Sequence, residues 1–162
     1  MYSELEFISA INTNQKIIHK VCNMYMPNAG GREDLFQEIV LNAWKGIKNF
    51  KGDSKFSTWL YRVALNTAIT FYRKEKRTIE TSSLDSPLEI APDISASQED
   101  SMNAMYRAIA ELSDIDKAIV MLYLEDYSYQ EIGDIIGITV NNTAVKMNRI
   151  KTKLKESSKK YL

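Results

Sequence analysis

Between Phe50 and Arg77 the sequence FKGDSKFSTWLYRVALNTAITFYRKEKR runs a short polar loop into a helix that is basic and aromatic at once. Lys51, Lys55, Arg62, Arg73, Lys74, Lys76 and Arg77 are opposed only by Asp53 and Glu75, a local charge of +5 in a chain whose formal total is zero. Arg62, Asn66, Thr70, Arg73 and Arg77 recur at steps of three or four and so share one helix face, with Trp59 at its head and Tyr72 beside its end. Guanidinium groups attract phosphates, an amide can bond base edges, and exposed rings stack on unpaired bases. The stretch therefore suits single-stranded nucleic acid, with Lys55, Phe56, Trp59, Arg62, Asn66, Arg73, Lys74 and Arg77 as candidate contacts. A solvated face over a core produces the same pattern, and Trp59 is large enough to belong partly to that core.

The elements that must hold this face are set by apolar spacing. Ser57 is a good N-cap, and Leu60, Ala64, Ala68 and Phe71 recur helically as the buried side. Upstream, residues 4 to 11 and 15 to 26 read as two short helices that Pro27 and the pair Gly30 and Gly31 end. His19 and the single cysteine, Cys22, lie on the apolar pattern of the second and are assigned to packing. The next helix spans about Arg32 to Phe50. Leu35, Phe36, Ile39, Val40, Ala43, Trp44 and Ile47 make its buried stripe, while Asp34, Gln37, Glu38 and Leu41 cluster outside it. That acidic and amide patch reads equally as a docking surface or as acids favoured in a first helical turn.

A second basic element closes the chain. Ser128 and Glu131 form a capping box for a short helix with Ile132, Ile135 and Ile136 inside. Gly137 supplies a left-handed turn, Thr139 or Asn141 can cap the helix after it, and Val145 to Lys160 is a long basic helix. Two helices across such a turn are the helix-turn-helix arrangement, whose second helix enters the major groove. Asn141, Asn142 and Thr143 then sit at the end that reaches base edges, and Lys146, Arg149 and Lys153 can reach bases or phosphates. Helices at Met102 to Leu112 and Asp114 to Leu124 complete this half.

Charge is segregated along the chain. Residues 45 to 77 carry nine Lys or Arg against two acids and residues 145 to 162 carry seven against one, whereas residues 78 to 144 carry two against thirteen. Two basic blocks around an acidic one imply two contacts with a polyanion. Residues 78 to 101, with two of the three prolines, six acids and no base, read as a flexible linker between domains 1–77 and 102–162. The expected fold is all-α, two small helical domains joined by that acidic linker. No apolar run reaches the roughly 18 residues of a membrane span, and the N-terminus lacks the charged and apolar parts of a signal peptide, so a cytoplasmic protein is expected. One cysteine and one histidine make no zinc set. Nucleophile and base pairings, Gly-rich phosphate loops and spaced acidic metal clusters are absent from the sequence, so neither an enzyme nor a cofactor is expected.

These segments together resemble a bacterial RNA polymerase sigma factor of the extracytoplasmic-function (ECF) group of the sigma-70 family. EDLFQEIVLNAW resembles the family's segment for the clamp helices of the polymerase largest subunit, which implies core docking by Asp34, Gln37, Glu38 and Leu41. FKGDSKFSTWLYRVALNTAITFYRKEKR resembles the segment that melts and captures the minus-ten element, and residues 112 to 156 the domain that reads the minus-thirty-five element as duplex. Thr70 stands where the family usually has an aspartate. The resemblance implies a sigma factor that binds core RNA polymerase, directs it to promoters and helps open the DNA, and the family often uses a sequestering anti-sigma partner. An autonomous helix-turn-helix regulator is the alternative reading; it leaves the aromatic stripe and the docking patch unused.

Overall fold

The computed structural model describes residues 2–82 and 100–160, and every regular element among them is helical. The chain divides into two compact units, residues 1–90 and 91–162. The first holds α1 (Glu4–Thr13), α2 (Gln15–Tyr25), α3 (Ala29–Gly46) with a 3-10 turn at Ile47–Asn49, and α4 (Phe56–Ser82). The second holds α5 (Asp100–Ala110), α6 (Asp114–Leu124), α7 (Tyr129–Ile136) and α8 (Val140–Lys159). The expected linker is thus trimmed at both ends. With no Gly or Pro between Phe56 and Pro87, α4 continues to Ser82, and residues 83–99 lie outside the described residues.

In the first unit α4 packs on α2 and α3, which also pack on each other. Leu60, Ala64 and Ala68 are fully buried, as their spacing predicts, and Tyr61, Leu65 and Ile69 widen the buried face, while Phe71 is only half-buried. Ile18, Val21, Leu35, Ile39 and Ala43 meet them from α2 and α3. Small residues at Ala43, Ala64 and Ala68 let the helix axes approach. A polar bond crosses this packing: Asn42 Nδ2 donates to Thr67 Oγ1 at 3.1 Å.

Several sequence expectations change for local reasons. Gly30 and Gly31 do not end a helix but lie in the first turn of α3, because Asn28 caps it through its side-chain oxygen and the Gly31 N–H, 2.6 Å apart. A Cβ on Gly31 would stand 2.9 Å from that oxygen, so glycine is what lets the cap close. Ser57 is not a cap. Helix α4 already starts at Phe56, and the Trp59 N–H donates to the Lys55 carbonyl at 3.1 Å. Trp44, expected in the core, is 42% exposed: Phe7 of α1 packs on its ring at 5.0 Å and leaves the rest uncovered. His19 is also exposed, its ring lying 5.0 Å from that of Phe36. Cys22 is buried, and loss of hydration pushes its thiol from 9.0 up to about 11, an effect that the Arg32 charge partly offsets.

The second unit is built around caps. The Ser128 and Glu131 box is formed, with bonds of 3.1 and 3.2 Å, and Gly137 ends α7 in the left-handed region at φ 91°. The Gly133 carbonyl accepts from both the Gly137 and Ile138 N–H groups, tying the turn back onto α7. Thr139 caps α8 by accepting from the Asn142 N–H, so this helix begins five residues before the expected Val145. Gly133 is where α7 meets the turn most closely. A Cβ there would stand 2.6 Å from the Ile138 carbonyl oxygen and 3.1 Å from the Thr143 hydroxyl.

This packing gives two testable outcomes. Gly133→Ala is expected to destabilise the protein by about 1–3 kcal/mol, as overpacking against backbone does, whereas Gly30→Ala, which meets only ordinary contacts, should be neutral or gain up to about 1 kcal/mol; thermal unfolding of the two variants checks the contrast. The Cys22 thiol should alkylate with iodoacetamide at pH 8.5 at about a hundredth of the rate seen in urea, given its rise from 9.0 to about 11. The unfolded thiol ionises first, so this residue's contribution to stability is whole below pH 9.0 and declines as pH rises towards 11; equal alkylation rates would show the thiol to be accessible.

Candidate nucleic-acid interface

Burying one side of α4 leaves the other to solvent. Arg62, Asn66, Thr70, Arg73, Lys74 and Arg77 are all exposed, a continuous polar face about four turns long. At its head stands an aromatic cluster rather than isolated rings. Trp59 lies 5.5 Å from Phe56 and 5.3 Å from Phe50, and Tyr2 packs on Phe50 and Phe56 at 6.0 and 5.9 Å. Phe56 and Trp59 are therefore half-buried and held in place, while Lys51 to Lys55 form an exposed loop beside them. The sequence shows neither the cluster nor the part that Tyr2 takes in it; an aromatic residue at the very start of the chain is the only hint.

Beyond the cluster, a cleft of about 500 Å³ separates α3 from α4, lined by Glu38, Asn42, Asn66, Thr67, Thr70, Phe71 and Lys74. Asn66 and Thr70 thus line a recess, with Phe71 offering a ring and Lys74 a cation.

The outward side of α3 carries Asp34, Gln37, Glu38 and Leu41, all exposed, but they do not form one patch. Glu38 lines the cleft towards α4, whereas Gln37 and Leu41 border an apolar groove with Ile8, Phe36, Val40 and Trp44. Ile8 of α1, which lines that groove, is 46% exposed and Leu5 of the same helix 80%, and sequence reasoning missed them along with Trp44. The signal was present: α1 carries apolar residues on two faces, Phe7 and Ile11 inward, Leu5 and Ile8 outward.

On α8 the buried residues Thr143, Met147, Ile150, Leu154 and Ser157 define the inner face. Opposite them stand Asn141, Asn142, Val145, Asn148, Arg149 and Thr152, all exposed. Lys153 is exposed and Lys146 half-buried, both at the edge of this face. Thr143 does not belong with them. It is fully buried and donates its hydroxyl to the Thr139 carbonyl at 2.9 Å, packed where Gly133 leaves room, so it positions the turn and reaches no base. Asn148 and Thr152 share the outward face but were not singled out by sequence. Lys151 faces elsewhere: its ammonium lies 5.0 Å over the Tyr123 ring, and a hydrogen bond to Tyr123, with the charges of Tyr123 and Tyr129, raises its pKa. Among the described residues no cluster of His, Cys, Asp and Glu could hold a metal ion, and no helix is long and apolar enough to cross a membrane.

Two sequence profiles match the chain, Sigma-70 region 2 over residues 10–78 and Sigma-70, region 4 over residues 102–154. One falls on each unit, which defines the class: a transcription initiation factor built from these two regions. The ECF RNA polymerase sigma factor SigW of Bacillus subtilis (strain 168) is 29% identical over 157 residues, covering 88% of this chain and 83% of the relative. The ECF RNA polymerase sigma-E factor of Escherichia coli (strain K12) is 31% identical over 147 residues, covering 81% and 76%. Among solved structures, the sigma factor RpoE in its complex with the anti-sigma factor NepR from Bartonella quintana shares the fold with a TM-score of 0.72 at 20% identity, over 95% of this chain and 97% of that one. CnrH in complex with the cytosolic domain of CnrY does so with a TM-score of 0.65 at 16% identity, over 95% and 88%. The chain belongs to the ECF group of the sigma-70 family. It binds core RNA polymerase, directs it to specific promoters and helps open the DNA to initiate transcription. The alternative of an autonomous helix-turn-helix regulator is not favoured, since the match extends over region 2 as well as region 4.

Proposed function

We propose a division of labour between the two units. The first, residues 1–77, docks on the clamp helices of the polymerase through Asp34, Gln37, Glu38 and Leu41, and captures the opened minus-ten element with Lys55, Phe56, Trp59, Arg62, Asn66, Arg73, Lys74 and Arg77. The second, residues 102–162, reads the minus-thirty-five duplex with Asn141, Asn142 and Arg149 on base edges and Lys146 and Lys153 on phosphates. The linker between them, trimmed to residues 83–99, threads through the polymerase, its acids imitating nucleic acid.

The observation that carries this reading is the exposed face of α4, where cations, an amide and a hydroxyl run on directly from a packed aromatic cluster. Extruding a base costs a few kcal/mol, which stacking and pocket contacts must recover. A cluster that is already ordered loses little entropy when a base stacks on it. Each DNA contact is modest alone, so the two units gain affinity when the polymerase holds both on one promoter. The chain acts in the cytoplasm, supplies no catalysis of its own, and uses no cofactor. A sequestering anti-sigma partner is proposed by analogy with the two solved complexes.

Run-off transcription from a promoter library, with core polymerase and with or without the chain, tests the reading. Specific transcripts should appear only with the chain and vanish when Asp34, Gln37 and Glu38 are all replaced by alanine; transcripts that survive the triple replacement would move docking elsewhere. On one recovered promoter, Arg62→Ala with Asn66→Ala should leave polymerase binding intact and lower open-complex formation roughly ten-fold, the loss expected of one good base contact. Permanganate reactivity of thymines in the minus-ten segment reads that loss, and unchanged reactivity would remove α4 from strand capture.

A further inference from the structure

The outward face of α8 holds one residue that does not match its neighbours. Val145 is 46% exposed and sits near the centre of that face, opposite Thr143 and Met147. Asn141 and Asn142 lie one turn before it and Asn148 and Arg149 one turn after, all exposed and all polar. Valine is a poor choice for a solvated helix position: its branched β-carbon restricts rotamers there, and water gains nothing from its methyl groups. Among the described residues, those flanking it on that face offer it no apolar partner.

A major groove presents donors and acceptors along its floor, and a single apolar group, the C5-methyl of thymine. Asparagine is the side chain that pairs with adenine through two bonds, so the amides of Asn141 and Asn142 favour adenine beside that methyl. We propose that Val145 is a specificity-determining residue that packs against the methyl of one thymine in the upstream promoter duplex, making α8 a reader of A·T pairs. This rests on the proposed major-groove role of α8 and adds to it the base and the atom that are recognised.

The test removes the methyl without changing base pairing. On a promoter recovered from the library, each thymine of the upstream element is replaced in turn by deoxyuridine, and transcription is measured with core polymerase carrying the wild-type chain or Val145→Ala. One replacement should lower wild-type transcription about four-fold, the effect of one buried methyl group. Val145→Ala should show about the same loss on the thymine promoter and no further response to uracil at that position. Because Val145 is exposed and alanine is the better helix former, the variant should unfold at the same temperature as the wild type or higher. Transcription that responds to uracil nowhere, or equally in both proteins, would make Val145 a surface valine only and overturn the inference while leaving duplex reading by α8 in place. Absence of any chain-dependent transcript would overturn both.

Discussion

Everything in the first unit depends on α4 being buried along one side and solvated along the other. Leu60, Ala64 and Ala68 cannot reach the core without turning Arg62, Asn66, Thr70 and Arg73 outward, because residues three and four apart share a face. The small residues matter as much as the large ones. Alanines at the crossing with α2 and α3 bring the backbones near enough for Asn42 to reach Thr67, a bond made only in this register. A slip by one residue would break the bond, and in the direction that puts Arg62 where Tyr61 lies it would turn a cation inward, where burial without a partner is costly. The helix is therefore held in register by its core while its chemistry faces away.

The two exposed faces of the first unit are constructed differently. On α4 the exposed groups are cationic and polar, suited to a polyanion bound with an affinity that falls with salt. Along α1 and α3 the exposed groups are apolar, with Ile8, Leu41 and Trp44 standing in water around a shallow groove. An exposed cluster of this kind marks a surface that is buried in some assembly. Glu4 and Gln37, which also line the groove, add a charge and an amide for orientation. One small unit thus offers two separate kinds of surface, an apolar one suited to a protein and a cationic one suited to a polyanion.

How much of this was legible in the sequence depended on the range of the interaction concerned. The α4 stripe was readable from spacing, since periodicity alone decides which side chains share a face. The capping box at Ser128 and Glu131 and the left-handed Gly137 were readable because they act within four residues. Trp44 was misread since its exposure depends on how much of it α1 covers, and that is a question of tertiary packing. Thr143 was misread for a related reason. A small polar residue in the first turn of a recognition helix suits a base contact and a turn bond equally well, and Gly133, ten residues earlier, decides between them. A glycine in the middle of an otherwise apolar short helix was the available clue. The aromatic cluster escaped notice because Tyr2 and Phe56 are far apart in the chain and carry no shared periodicity.

Each unit closes its core with residues contiguous in sequence: the buried residues of the first run from Phe7 to Ile69 and those of the second from Ala104 to Ser157. Such a layout has a consequence during synthesis. Domains made of local contacts fold as units, the N-terminal one first, as the chain leaves the ribosome at about 5–20 residues per second. The half that carries the apolar groove can therefore be complete for several seconds while the half that carries the recognition helix is still being translated. Over that interval the nascent chain displays its exposed tryptophan and leucines without the second unit, and a chaperone or any early-binding protein meets that surface first.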